Sequence, residues 1–188
     1  MAGSRNMTGA AQQIGEAAKI ETHPHSSLEF NFDDRYSVSP SDFIARVPAW
    51  WSIDRAQHEL AKDRLRLPVE AKGSLHHAIG WNEPRIWRNW ILANTGITAA
   101  GKVVKSGAQV TKSVAGFEIH KFVVGSRDAF LFPVDYTLRV IPFTLEPIKA
   151  PDPTSELPLS DLEQNLLIEL KRRFDPTNKL NPGIWGFM

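Results

Sequence analysis

Val134-Asp135-Tyr136-Thr137-Leu138-Arg139-Val140 alternates apolar and polar side chains over seven positions. That is the period of a β-strand with one face on a core and the other toward solvent, and it fixes the strand's register. A strand needs neighbours, and the chain upstream supplies them. Ile97–Lys105 sets β-branched residues around Gly101, which predicts a hairpin whose second arm is Lys102-Val103-Val104-Lys105. Further back, Phe43-Ile44-Ala45-Arg46-Val47 suits a short strand that Pro48 stops, because proline cannot donate to a ladder.

Between these strands the pattern changes. Ser52 is placed to cap a helix running to about Asp63, with Ile53, Ala56 and Leu60 on one face. Arg66–Glu70 reads as extended, and Ala71–Glu83, with Gly73, Gly80 and the pair His76-His77, as a polar loop. Ile86–Ile91, beside Trp81, Trp87 and Trp90, fits a strand or a short helix equally. Phe117–Val124 fits a short helix or a loop. Downstream, Pro142, Pro147, Pro151, Pro153 and Pro158 leave neither helix nor central strand, so a linker is expected. Ser160-Asp161-Leu162-Glu163 is then a capping box, opening a helix with the apolar stripe Leu162, Leu166, Leu167, Leu170 and Phe174.

At 188 residues the chain suits one main core, and 42% hydrophobic against 23% charged residues is ordinary for a globular protein. A net charge of +1 gives no field to attract nucleic acid or an anionic membrane. With no cysteine, the chain can supply neither a thiol nucleophile nor thiolate ligands for zinc or an iron–sulfur cluster. Residues 1–27 mix Ala, Gly, Gln, Ser and Thr without an apolar run, and read as a disordered tail.

Three ordered segments carry a family resemblance. The first runs from Ser39-Pro40-Ser41-Asp42-Phe43 through the helix to Leu67-Pro68-Val69-Glu70. The second holds Lys112-Ser113-Val114-Ala115-Gly116-Phe117, then Gly125-Ser126 nine residues after the glycine, then Leu138-Arg139-Val140-Ile141-Pro142. The third is Phe174-Asp175-Pro176 with Leu180-Asn181-Pro182-Gly183. Together they resemble the FAD-binding subunit of bacterial glycolate oxidase, within the flavoproteins whose FAD domain is of the vanillyl-alcohol-oxidase, or PCMH, type.

The resemblance implies an α+β fold: a partial PCMH-type FAD-binding domain over 28–142, a small mixed sheet with flanking helices. A linker at 143–159 and a C-terminal amphipathic helix with its Asn-Pro-Gly tail at 160–188 would complete it. FAD is the implied cofactor. Val114, Ala115, Gly116 and Phe117 would line its adenosine side through backbone contacts, Gly125 would let the chain pass close by, and Asn181 would sit near the flavin end. No catalytic residue and no metal ligand is carried over. The implied role is an accessory subunit of a glycolate-oxidase-like complex acting on 2-hydroxy acids, with flavin bound incompletely or through shared contacts. Its partners would be a larger flavin subunit and an iron–sulfur subunit, in the cytoplasm and, through those partners, at the inner face of the membrane.

The departures support an alternative. No two glycines are adjacent anywhere in the chain, so the glycine-rich loop that lays backbone amides against the FAD pyrophosphate is missing. Where the family has a Gly-x-Leu-Gly turn beside the cofactor, this chain has Ser126-Arg127-Asp128-Ala129-Phe130-Leu131. The family's substrate domain is replaced by the proline-rich stretch. On this reading the protein is a flavin-free scaffold in which Asp128, Phe130 and Leu131 fill the old channel.

Other candidates have ordinary explanations. His76 and His77 read as loop histidines, since no HxxxH or HExxH spacing accompanies them. His120 reads as an exposed residue on a short helix, or a flavin neighbour. Asp135 and Glu70 read as solvated carboxylates, and Lys171-Arg172-Arg173 as cations suited to a helix C-terminus. Trp50-Trp51 fits a partner surface or the protein's own core, and the C-terminal helix fits its own domain or a neighbour's.

Overall fold

The computed structural model describes residues 36–81, 84–108, 118–149 and 160–186. The 1–27 tail, the segment Val114–Phe117 and most of the proline-rich linker lie outside the described residues. The fold is α+β. Its centre is a five-stranded antiparallel sheet in the order β1-β2-β7-β5-β6. The strands are β1 (Ser37–Ser39), β2 (Ile44–Pro48), β5 (Ile91–Ile97), β6 (Val103–Gly107) and β7 (Phe132–Arg139). Two small pairs flank it: β3 (Leu65–Arg66) runs antiparallel to β8 (Ile141–Pro142), and β4 (Val69–Glu70) parallel to β9 (Ile148–Lys149).

The alternating segment is the central strand. β7 pairs with β2 on one side and β5 on the other, so Val47 stands opposite Tyr136 and Ala45 opposite Leu138, all on the core face. The opposite face is not solvated as its polar residues suggest: Asp135 is 5% exposed and Thr137 4%. Arg46, from the neighbouring strand, donates to the Asp135 carboxylate, so the partner that makes this burial tolerable lies far away in sequence. Glu70, by contrast, is exposed as expected.

Helices cover the core face. Helix α1 (Ile53–Ala61) starts where Ser52 accepts a hydrogen bond from the Arg55 amide, and buries Ile53, Ala56 and Leu60. The stretch 71–83, read as a loop, contains helix α2 (Leu75–Gly80): Ser74 caps it by accepting from the His77 amide, and Leu75, Ala78 and Ile79 face the core. Helix α3 (Pro84–Arg88) settles the ambiguous segment before β5, and its Trp87 is 1% exposed. Trp51 joins the core and Trp50 packs against it, so neither forms a free aromatic patch. A 3-10 helix, Ile119–Val123, packs over β5 and β6.

Helix α4 (Asp161–Phe174) begins with the expected capping box, Ser160 and Glu163 each satisfying the other's amide. Removing that hydroxyl with Ser160→Ala should lower stability by about 1 kcal/mol, measurable by urea unfolding. The helix docks on its own domain, on the cluster of Ala129, Phe130 and Ile184, through Leu167 and Leu170, with the Phe174 ring set against that of Phe130. Leu162, Leu166 and Phe174, expected in the buried stripe, are exposed at 79%, 58% and 53%. The buried face is instead centred on Lys171, which is fully buried. Among the described residues no helix is long and apolar enough to cross a membrane.

Candidate functional site

The loop from Gly125 to Leu131 is where the resemblance and the structure meet. It is held between α2 and the C-terminal tail. The amides of Gly125 and Arg127 donate to the carbonyls of Ile79 and Gly80, both at 3.0 Å, so the loop is pinned along the end of α2. Asp128 adds a side-chain tie: His76 Nε2 lies 2.8 Å from both of its carboxylate oxygens. A carboxylate only accepts, so Nε2 carries the proton. The edge of Phe132 rests against the His76 ring at 5.6 Å, and Arg127 lies over the Trp81 ring. His76 is therefore a helical residue with a fixed partner, contrary to the loop reading.

The backbone here is unusual. Gly125 has φ 71°, and Arg127 and Asp128 follow with φ 49° and 61°. Left-handed backbone costs a side chain roughly 1–2 kcal/mol, which aspartate offsets in part by local hydrogen bonding. The turn thus keeps a path that suits glycine while carrying arginine and aspartate. Beyond it, Ala129 and Phe130 are buried, with Phe130 packed on Phe174 and Trp185. Leu131 lies against β5 at Gly96, so closely that a Cβ there would fall 2.5 Å from its Cγ.

The C-terminal tail closes the other side. The Lys171 ammonium donates to Asp175 Oδ2 at 2.8 Å, to the Leu180 carbonyl and to the Ala129 carbonyl, giving acceptors for its three protons. Asp175 also accepts from the Lys179 amide at 2.9 Å and the Leu180 amide at 2.7 Å. Burial pushes the Asp175 carboxyl up, but the bonds from Lys171 and the two amides, with the Lys171 charge, bring it below its ordinary value. Lys171 is thus a structural cation and more than a dipole partner. The Asn181 side-chain amide donates to the Arg127 carbonyl, tying the Asn-Pro-Gly tail to the same loop.

Of the residues singled out for a flavin, Gly125 and Asn181 therefore converge on one loop, and Val114, Ala115, Gly116 and Phe117 lie outside the described residues. His120 is 6% exposed, where exposure was expected, and burial followed by the Lys121 charge pushes its imidazole below the ordinary histidine value. The dyad of His76 and Asp128 could have been sought from Ser74 as a cap with Leu75, Ala78 and Ile79 at helical spacing. Its aspartate partner, 52 positions away, has no local signal. Among the described residues no group of three or more His, Asp or Glu side chains is arranged to hold a metal ion.

No family model matches the chain. No curated protein matches it either. Among solved structures it is similar to two crystal forms of alkyldihydroxyacetonephosphate synthase. In one the identity is 11% and the TM-score 0.47 over 56% of this chain. In the other they are 11% and 0.46 over 56%. The chain covers 20% and 22% of the length of those proteins. The likeness is weak and partial.

Proposed function

We propose that the chain is a non-catalytic partner protein that keeps the frame of an FAD-linked oxidase's cofactor domain and has closed the cofactor channel with its own side chains. The observation that carries this is the loop at 126–131: Asp128 is bound to His76, Phe130 is packed under α4, and Leu131 is wedged against Gly96. Where the resembling family leaves glycine backbone open to the cofactor, these side chains occupy the space. The amides of Gly125 and Asn181 are already committed to Ile79 and Arg127. With no adjacent glycines in the sequence to cradle a pyrophosphate, the described residues around this loop do not fit FAD, and no step of chemistry is routed through it.

A second reading, an accessory subunit that shares FAD with a partner, is favoured by the left-handed turn still kept at Gly125, Arg127 and Asp128. The resemblance supplies the partners for either reading: a larger flavin subunit and an iron–sulfur subunit of a glycolate-oxidase-like complex, at the inner face of a membrane. Exposed Leu162, Leu166 and Phe174 on α4 offer apolar area for such contacts.

Purified alone, the protein is expected to be colourless and to keep its melting temperature when FAD is added. FAD released on denaturation would overturn the proposal, because a ligand bound to the native state must raise its stability. FAD recovered only from the co-purified complex would establish the shared-site reading instead. Failure to recover any flavoprotein or iron–sulfur partner at native expression would count against both.

A further inference from the structure

The outer strand β6 lies at the surface along its length. Val103 is 61% exposed and Val104 37%, and Lys102 and Lys105 beside them are exposed too. The ladder to β5 shows which backbone groups face outward. The Thr98 amide donates to the Lys102 carbonyl at 3.0 Å and the Ala108 amide to the Leu92 carbonyl at 3.3 Å, and opposed residues of an antiparallel ladder are hydrogen-bonded alternately. Val104, opposite Gly96, and Ser106, opposite Asn94, therefore turn their backbone to β5, while Val103 and Lys105 turn an amide and a carbonyl outward. Side chains alternate as well. Ser106 shares the face of Asn94, which stands opposite the core residue Tyr136, so Val104 lies on the face over which the 3-10 helix packs. Phe122 of that helix is 54% exposed. Among the described residues no strand lies beyond β6.

Such an edge templates an added strand, and its side chains select which. Two copies of β6 laid antiparallel, with Val103 opposite Val104, would set Lys102 against Lys105, like charges in register. A fitting strand is apolar on the Val104 face and acidic on the Lys105 face. Leu28-Glu29-Phe30-Asn31-Phe32-Asp33-Asp34, ahead of β1 and outside the described residues, has that pattern: Leu28, Phe30 and Phe32 alternate with Glu29, Asn31 and Asp33. Laid antiparallel with Phe30 opposite Val104, it sets Glu29 opposite Lys105. The same copy cannot deliver it. β1 and β6 are opposite edges of the five-stranded sheet, so a strand beyond β6 lies about 24 Å from β1 at ~4.8 Å per strand. The chain from Phe32 to Ser37 reaches at most about 18 Å.

We propose that β6 is a docking edge for residues 28–34 of a second copy of this chain, two copies exchanging these segments reciprocally about a twofold axis. Phe30 meets Val104 and Phe122, and Glu29 pairs with Lys105.

The test measures the mass of the full chain by light scattering up to about 200 µM. The wild type is expected to dimerise as concentration rises. Lys105→Glu and Glu29→Lys should each raise the dimer Kd about fivefold, and the two together should restore it. Lys105 is exposed, so its reversal leaves the core untouched. Phe30→Ser combined with Phe32→Ser is expected to leave a monomer. A wild type that stays monomeric throughout, as it would if the chain's own residues covered the edge, overturns the proposal. So does a dimer indifferent to the two serine substitutions, which would belong to another surface, or one that the double charge reversal fails to restore, which would give Lys105 a different partner.

Discussion

A Lys171→Met variant is expected to lose about 3–5 kcal/mol of stability, because removing one partner of a buried pair leaves the other charge uncompensated. Lys171 and Asp175 are both fully buried. Methionine fills the volume of the lysine stem, so the loss reports the ammonium and its bonds to Asp175, Leu180 and Ala129. The sign with pH follows from Asp175. Its folded value lies below the unfolded one, so its contribution is present above the unfolded value, near pH ~4, and is lost as the pH falls through the lower folded value. In Lys171→Met the abandoned carboxylate takes a proton more readily, so the gap between variant and wild type should narrow in acid. Urea unfolding at neutral pH and at about pH 4 checks both statements, and a loss below about 1 kcal/mol at neutral pH would refute the first.

The second large effect is expected at Gly96. A Cβ there would lie 2.5 Å from Leu131 Cγ and 2.8 Å from the Phe132 carbonyl, and the latter cannot swing away. Gly96→Ala should therefore cost about 2–3 kcal/mol through overpacking. The cause is testable by a cycle with Leu131→Ala. If Leu131 is the wedge that closes the channel, the two substitutions should couple by about 1 kcal/mol or more, with the double variant less damaged than the sum. Additive losses would assign the cost to the Phe132 backbone alone and weaken the case that Leu131 took over space at this strand.

What the sequence discloses, and what it hides, divides by distance along the chain. The period of β7, the turn at Gly101, the Ser52 cap and the Ser160–Glu163 box are signals written within a few residues, and each element forms where those signals place it. Asp135 looked solvated because Arg46, which neutralises it, is 89 positions away. Lys171 looked like an ordinary surface cation because two of its three named acceptors, the carbonyls of Leu180 and Ala129, are backbone atoms brought in by the fold. The stripe on α4 misled for the same reason. Helical periodicity shows that one face is apolar, but the docking partner decides which part of it is covered, and Lys171 rotates Leu162 and Leu166 outward. Helix α2 was hidden by composition, since Gly73 and two histidines outweighed a good cap and three well-spaced apolar residues. At the candidate loop, Gly125 and Asn181, singled out through resemblance as flavin neighbours, are found tied to Ile79 and Arg127, while the tie between His76 and Asp128 had no local signal.

The position of β7 also governs how the molecule can be made. Both of its sheet neighbours, β2 and β5, precede it in the chain. A ribosome therefore releases two separate ribbons, β1 with β2 and β5 with β6, each with an unsatisfied inner edge. They stay apart until Phe132–Arg139 follows and stitches them together. Arg46 waits for Asp135 across 89 residues, roughly 4 to 18 seconds at ordinary elongation rates. During that interval the open edges are exposed to any extended strand nearby, so the yield of folded protein should depend on synthesis speed and on crowding by other nascent chains.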